Sequence, residues 1–212
     1  MIPILYDKTG NTKITNLTDC IQCIVTEERN GMFEAELVYS VHSSNSDKLI
    51  RGNIIVADAN DTLKEQKFRV YKISKPINGR IKVLARHISF DMARDVVTGL
   101  VIDNQSCEYA LNKLFSSSQF SQHFTGHSDI VNSQSTVING TTHILKAIVG
   151  VEGSIIDTFG TSPEILRDNY DFYIYENRGH DNVVTIEYGK NLTGLNLDTV
   201  DSNMITRIRA IA

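Results

Sequence analysis

The sequence predicts an α+β fold that is mostly β, with a small β-barrel-like domain followed by an α+β domain. Six short segments within residues 1–87 have the pattern of strands and are separated by short polar turns, which is typical of a small barrel or rolled sheet. Two later segments have apolar side chains at helical spacing, and further strand-like segments follow them.

The predicted strands of the first domain alternate in polarity. Residues 21–27 and 33–41 carry apolar side chains at every second position, the period of a strand with one buried face. Asn30 and Gly31 lie between them, and Asn-Gly tolerates the positive φ angles of a tight hairpin. We therefore predict a hairpin that turns at Asn30-Gly31. The other predicted strands of this domain cover residues 2–6, 52–57, 67–74 and 80–87.

The second domain is predicted to begin with helices. Residues 106–116 place Tyr109, Ala110, Leu111, Leu114 and Phe115 at helical spacing, with Ser106 as the N-cap. Residues 141–149 are predicted to form a second, shorter helix that ends near Gly150. Predicted strands follow at residues 171–175, 183–188 and 204–211. The resulting domain boundaries are 1–87, 88–190 and a final strand within 191–212.

Composition excludes several classes of protein. The longest apolar runs fall far short of the ~20 residues that a membrane span needs. No basic leader precedes Asp7, so we expect no signal peptide, and a protein that stays in a cytoplasm or leaves it within an assembly. The net charge of −4 argues against a general nucleic-acid-binding protein. It is compatible with DNA passing nearby, because a neutral or acidic wall lets DNA slide.

Cys20 and Cys23 form a C-x-x-C motif, and Cys107 is the third cysteine. An odd number of cysteines does not indicate a disulfide framework. The motif enters a predicted strand, where residues three apart point to opposite faces, and no second pair completes a zinc site. We interpret both side chains as packing residues, with a metal or redox role as the alternative.

His123, His127 and Asp129 are the residues closest to a catalytic cluster. The H-x-x-x-H spacing chelates zinc on a helix, but Thr125 and Gly126 make a helix unfavourable, and the glutamate of H-E-x-x-H is absent. We therefore interpret these residues as structural or surface residues. The alternative hypothesis is an enzyme or a metal site that uses this cluster.

Other motifs of catalysis and cofactor binding are absent from the sequence. It contains no G-x-S-x-G elbow, no G-x-x-x-x-G-K-[ST] loop and no G-x-G-x-x-G loop. Asp168 and Asp171 are interpreted as solvated charges, and Gly160 to Pro163 as a turn. We predict no catalytic residues, no cofactor and no metal.

An aromatic run near the predicted strand 171–175 permits two interpretations. Tyr173 and Tyr175 share one face of the strand, and Tyr170 and Phe172 share the other. Because aromatic residues are favoured in strands, one core face and one half-buried face account for the run. The alternative is a stacking platform for bases or sugars, the latter in a carbohydrate-binding adhesion module that uses Tyr173 and Tyr175.

Eight motifs, taken in order, resemble a known family. They are residues 2–7 (IPILYD), 27–34 (EERNGMFE), 67–71 (KFRVY), 85–91 (ARHISFD), 152–157 (EGSIID), 168–170 (DNY), 177–179 (NRG) and 188–192 (YGKNL). Together they resemble the N-terminal region of prophage tail proteins of the "prophage endopeptidase tail" type, the tail-associated hub proteins of siphophages of Gram-positive bacteria. The resemblance covers essentially the whole chain, and it depends on the shared order because each motif alone is weak.

The resemblance implies a structural protein of the virion tail tip, a tail hub or baseplate component assembled in the host cytoplasm. It implies a homotrimeric ring in which each chain contributes two small β-barrels and an α+β domain, with residues 191–212 returning to the second barrel. The implied partners are further copies of the chain, the distal tail protein, the tape measure, other tail proteins, and transiting DNA, without sequence-specific binding.

The resemblance also implies structural roles for single residues. These residues are Asn30, Gly31, His87, Asp91, Gly153, Gly179, Gly189 and Asn191. Asn30 and Gly31 would turn the hairpin, and Gly153 and Gly179 would occupy tight backbone positions. Family members usually continue past the segment that corresponds to Thr206-Arg207. Peptidase activity, where the family has it, is expected in C-terminal domains that these 212 residues do not include.

Overall fold

The structure is a computed structural model that describes residues 1–74, 76–160, 162–179, 185–192 and 194. These residues form twelve β-strands, three α-helices and two 3-10 helices. The chain divides into two compact units, Met1–Arg178 and Gly179–Ala212. The predicted class, α+β and mostly β, is confirmed.

Seven strands form one antiparallel sheet in the first part of the chain. They are β1 (Ile4–Tyr6), β2 (Lys13–Asn16), β3 (Cys20–Glu27), β4 (Phe33–Ser40), β5 (Ile54–Ala57), β6 (Gln66–Ile73) and β7 (Arg80–His87). Their order across the sheet is β2-β1-β5-β6-β7-β4-β3. The two edge strands, β2 and β3, are not paired with each other among the described residues, so the sheet is open and the predicted barrel does not close.

The alternation of β4 shows why the sequence folds into this sheet. Phe33, Leu37 and Tyr39 point inward and are fully buried. Glu34 and Glu36 lie between them on the outer face, where they pair with basic side chains of β7. β4 thus buries one apolar face, whereas β5 is buried on both faces, and the inward faces of the sheet share one core.

Two asparagines take the left-handed conformation in the hairpin turns of this sheet. Between β3 and β4, Asn30 has a φ of 54°, whereas Gly31 lies outside the left-handed region. The predicted Asn-Gly hairpin is therefore present, with the strained position at Asn30. Between β6 and β7, Asn78 and Gly79 have φ angles of 52° and 70°, as a two-residue hairpin loop requires.

Cys20 and Cys23 lie on the same face of β3, and the prediction of opposite faces is wrong. The register of β3 against β4 shifts between Cys20 and Gln22. Cys20 lies opposite Tyr39 and Cys23 opposite Leu37, two residues that both point into the core. The bulge adds one residue to β3 and turns both thiols inward. Both cysteines are half-buried and pack against the core.

The second core lies beneath a long two-stranded ribbon. The ribbon consists of β8 (Val96–Gln105) and β10 (Gln134–His143), which are antiparallel. Against it pack α1 (Cys107–Ser116), α2 (Ile144–Ile148) and α3 (Ile155–Phe159). The strand β8 was not predicted. The second helix was predicted too long, because residues 141–143 belong to β10 and the helix begins at Ile144.

The first helix of this part confirms its predicted cap. The Ser106 Oγ atom accepts a hydrogen bond from the Tyr109 backbone nitrogen at 3.2 Å. Ala110, Leu111, Leu114 and Phe115 are buried against the core. Tyr109 was predicted on the same face, but it is 46% exposed, and the Lys113 ammonium lies over its ring.

A three-stranded sheet completes the second core, with β12 (Asp171–Tyr175) in its centre. One neighbour is the antiparallel β11 (Glu164–Asp168), and the other is the parallel β9 (Thr125–Ser128). The sequence predicted a strand at residues 183–188. The part of it that the structure describes carries only an isolated bridge between Tyr188 and Leu192. The predicted strand 204–211 lies outside the described residues.

The described part of the chain contains no helix that is long and apolar enough to cross a lipid bilayer.

Candidate functional site

A polar cluster joins the first sheet to the turn region of β11 and β12. We call this cluster the polar seam and define it by five buried or half-buried side chains: Asn30, Gln66, His87, Arg167 and Asn169. Two of the eight residues singled out in the sequence belong to it. The seam lies between residues that are more than 100 positions apart in the chain, so it fixes the two cores to each other.

Asn30 connects the tip of the β3–β4 hairpin to β11. Its Oδ1 atom accepts a hydrogen bond from the Ile165 backbone nitrogen at 2.7 Å, and its Nδ2 atom donates to the Pro163 carbonyl at 2.8 Å. The carbonyl of Gly31 accepts from the Arg167 guanidinium at 3.1 Å. The hairpin tip is thus a docking element for the second core as well as a turn.

Two ion pairs flank the hairpin tip. The Arg29 guanidinium lies 2.6 Å from a carboxylate oxygen of Glu164, and the Arg178 guanidinium lies 2.8 Å from Glu27. Arg178 also donates to the carbonyl of Ile165 at 2.8 Å. Each pair joins the β3–β4 hairpin to residues beyond 160, and one member of each pair is largely buried.

His87 is buried at the centre of the seam, where its ring stacks on Phe33 with centroids 4.5 Å apart. One ring nitrogen lies 2.9 Å from the Ser89 hydroxyl and the other 3.2 Å from the Gln66 amide oxygen. Burial, reinforced by the positive charge of Arg167, lowers the pKa of His87 to about 3. His87 is therefore neutral at physiological pH, and its ring makes packing and hydrogen-bond contacts inside the seam.

Gln66 and Asn169 link β6 to the turn between β11 and β12. The amide of Gln66 donates to the Asp168 carboxylate at 2.7 Å and accepts from the Asn169 backbone at 3.0 Å. The Asn169 side chain accepts from the Lys67 backbone at 3.0 Å. Asp168, which the sequence suggested was a solvated charge, is thus half-buried and hydrogen-bonded.

Arg167 is a nearly buried cation in the seam. Burial lowers the pKa of its guanidinium to about 10, against the opposing attraction of Glu27. The charge lies over the Phe90 ring at 5.2 Å, and its Nε atom has no hydrogen-bond partner among the described residues. Sequence reasoning missed Arg167 and Gln66. The pattern that could have revealed them is a polar residue at an inward-facing strand position. Gln66, for example, lies on the same face of β6 as the buried Phe68.

Asp91 has a local structural contact outside the seam. Its carboxylate accepts from the Arg69 Nε atom at 2.7 and 3.0 Å. Arg69 also donates to the carbonyls of Lys8 and Gly52, both at 2.8 Å. This arrangement holds two loops of the first sheet and the 3-10 helix Ile88–Arg94 around one guanidinium.

The remaining motif residues lie apart from the seam. Gly153, Gly179 and Gly189 have positive φ angles of 76°, 112° and 80°. The Gly153 carbonyl accepts from the Thr136 hydroxyl at 2.8 Å. The Asn191 side chain forms hydrogen bonds to backbone groups of Glu187 and Thr185 within its own loop. These contacts are compatible with turn positions, and the structural roles of the eight residues remain predictions.

The structure does not bring His123, His127 and Asp129 into one cluster. His127 binds Asp171 at 2.9 Å, whereas Asp129 accepts from the Glu176 backbone at 2.8 Å. His123 packs edge-on against Tyr170. Within the described ranges, no group of three His, Cys, Asp or Glu side chains could hold a metal ion.

The aromatic run forms a ladder of stacked rings. The His127 and Tyr173 rings lie 4.6 Å apart at 21°, and the Tyr173 and Tyr175 rings lie 5.6 Å apart at 9°. Phe172 and Ile174 are fully buried on the opposite face of β12. The interpretation as one core face and one half-buried face is confirmed, since each ring covers part of its neighbour.

Comparison with known proteins relates the fold to that of a prophage tail protein. The structure of prophage tail protein gp18 from Listeria monocytogenes EGD-e superposes with a TM-score of 0.67 at 17% identity, covering 91% of this chain and 56% of that chain. The tail protein from Neisseria meningitidis MC58 matches with a TM-score of 0.44 at 10% identity, over 82% and 50% of the two chains. No protein-family model and no curated protein sequence matches.

The likeness to gp18 is one of fold, and the chain spans about half the length of that protein. It extends across both cores, since nine-tenths of this chain superposes.

Proposed function

We propose that this chain is a structural component of a bacteriophage or prophage tail tip, a hub subunit that forms part of the ring through which DNA passes. The observation that carries the proposal is the likeness of fold to prophage tail protein gp18 across 91% of the chain. The ordered motifs of the sequence point to the same class of protein.

The polar seam supports a mechanical role. Its bonds lock two cores of the first unit together. Its one cation, Arg167, donates to the carbonyl of Gly31, and His87 contacts Gln66 of β6. A protein that transmits force along a tail needs such fixed joints between its cores, because loosely docked domains move relative to one another. The proposed partners are further copies of the chain in a trimeric ring, the distal tail protein and the tape measure.

Immunogold labelling tests the proposed location. Antibodies raised against the purified chain would be applied to phage particles from the host that encodes it, and gold is expected at the distal end of the tail. Label confined to capsids, or found only on free protein, would overturn the proposal.

A second experiment tests the alternative class, a cell-wall hydrolase. The purified chain is expected to produce no clearing in a zymogram of Gram-positive cell walls. Clearing that disappears in His127→Ala but persists in His123→Ala would assign the half-buried His127–Asp171 pair to catalysis and contradict a purely structural role.

A further inference from the structure

Two concavities lie beside β6, and Tyr71 lines both of them. The larger, of about 390 Å³, is lined by Arg51 and Lys72 together with Leu49, Ile50 and Ile73. The smaller, of about 140 Å³, is lined by Arg69, Arg86 and Arg94 together with Phe90, Asp91 and Ala93. We call this surface the Tyr71 groove and define it by Tyr71 and these five basic side chains.

The groove concentrates positive charge in an acidic chain. Among the described residues its lining contains five basic side chains and one carboxylate, that of Asp91, whereas the whole chain has a net charge of −4. A concave surface of one sign focuses its potential and raises the local concentration of ions of the opposite sign. The occupant that fits this lining is therefore an anion.

Two of the five cations are already neutralised, and three are available. Arg69 is bound to Asp91, and Arg86 is bound to Glu34 at 2.8 Å. None of the ion pairs between described residues involves Arg51, Lys72 or Arg94. All three of these side chains are exposed, so a ligand reaches them without any rearrangement of the core.

The local structure holds the groove in a fixed shape. The Arg86 guanidinium lies 4.5 Å from the centre of the Tyr71 ring, and the Tyr71 hydroxyl donates to Glu34 at 3.1 Å. These contacts fix the aromatic ring that both concavities share. Arg51 and Lys72 line one concavity and Arg94 lines the other, so the available cations are spread over more than one concavity, which suits an extended polyanion better than a single small ion.

We propose that the Tyr71 groove binds the phosphate backbone of duplex DNA. The choice of DNA as the polyanion rests on the proposed tail-tip function, in which DNA passes the subunit. Arginine and lysine contacts to phosphates carry no sequence information, so the binding is independent of sequence. Three available cations give a weak, salt-sensitive contact, which permits the DNA to move on.

Fluorescence anisotropy with a labelled 20-base-pair duplex tests the proposal on the full 212-residue chain. We expect a dissociation constant of roughly 10–100 µM at low salt, equal for two unrelated duplex sequences. The logarithm of the association constant should fall with the logarithm of salt concentration with a slope of roughly −3, since about one counterion is released per phosphate contact.

Charge reversal locates the contact. Arg51→Glu, Lys72→Glu and Arg94→Glu should each weaken binding by roughly tenfold and reduce the salt slope by about one. The matched controls Lys13→Glu and Lys146→Glu change the net charge equally at exposed sites outside the groove, and they should leave affinity nearly unchanged. All five positions are on the surface, so thermal melts should verify that each variant is folded.

Three outcomes would overturn the proposal. One is no binding of the duplex by the wild-type chain at low salt. Another is an equal loss of affinity in groove and control variants, because only the net charge would then matter. The third is binding of polyglutamate, but not of DNA, which would assign the groove to an acidic protein surface. None of these outcomes changes the expected result of the immunogold test. DNA binding by the Tyr71 groove and the proposed tail location can therefore be refuted independently of each other.

Discussion

Asn30 binds Ile165 across 135 positions of the chain, through a 2.7 Å hydrogen bond from the Ile165 backbone nitrogen to the Asn30 Oδ1 atom. The same side chain donates to the carbonyl of Pro163 at 2.8 Å. One turn residue therefore supplies β11 with the donor and acceptor that a neighbouring strand would otherwise provide.

Replacement of Asn30 by glycine should lower the free energy of unfolding by about 2 kcal/mol, since two partly buried backbone groups lose their partners. Glycine accepts the φ of 54°, so the turn itself should survive. The matched control is Asn78→Gly, at a φ of 52° in the next hairpin, where no side-chain hydrogen bond to another described residue is formed. Urea denaturation of both variants provides the measurement, and equal losses would show that turn preference alone is responsible.

Gly126→Ala should destabilise the second core. A Cβ atom at this position would lie 2.5 Å from the Cβ atom of Leu111, where α1 crosses β9. The crossing is further held by Asn112, whose side chain bonds both the nitrogen and the carbonyl of Gly126. We expect a loss of about 1–3 kcal/mol in thermal or urea unfolding from this overpacking.

The control for this substitution is Gly194→Ala, where an added Cβ atom meets no described atom within 4 Å. This variant should unfold like the wild type. Retained stability in Gly126→Ala would mean that α1 can shift away from β9 at little cost.

Stability should decrease in acid because of His87. Its folded pKa of about 3 lies below the ordinary value of 6.5, so the unfolded state binds a proton more readily. The stabilising contribution is fully present above pH 6.5 and is lost as the pH falls from there toward 3, by about 1.4 kcal/mol per pH unit. Urea midpoints between pH 7.5 and 4.5 measure this slope.

His87→Gln should be less stable at neutral pH but should show a flatter dependence on pH. His143→Gln, at an exposed position, serves as the control and should keep the wild-type slope. An unchanged slope in His87→Gln would assign the acid sensitivity to other groups.

The cysteines should react slowly in the folded chain. Burial raises the pKa of the Cys23 and Cys107 thiols to about 11, and the repulsion of Cys20 adds to the effect on Cys23. The thiolate is the reactive form, so at pH 8 these thiols should react roughly 200-fold more slowly than free cysteine. A disulfide-exchange reagent, followed with and without urea, measures the difference.

Cys20 is less buried, and it should react first of the three. The variant Cys20→Ser should therefore remove the fastest phase and leave the two slow ones. Rapid reaction of Cys23 in the folded state would show that the β3 edge opens readily.

Local patterns made much of the first sheet predictable. The alternation in β4, the Asn30 turn and the Ser106 cap depend on residues close together in sequence, and all three are found where they were predicted. By contrast, β8 was missed because its alternation is broken. Gly99 has a φ of 66°, and the register of the ribbon shifts opposite it. A period of two cannot be recognised across such a bulge.

The sequence by itself determined the mostly β class, the main hairpin and the capped first helix, because periodicity and turn chemistry act within a few residues. The resemblance to tail proteins was also visible in the sequence, in the order of eight short motifs. Only the tertiary structure decided the open sheet, the inward pair of Cys20 and Cys23, the polar seam and the Tyr71 groove. Each depends on which strands become neighbours. The pairing of Asn30 with Ile165, or of Gln66 with Asn169, is decided by core packing over more than 100 residues, and no local pattern records it.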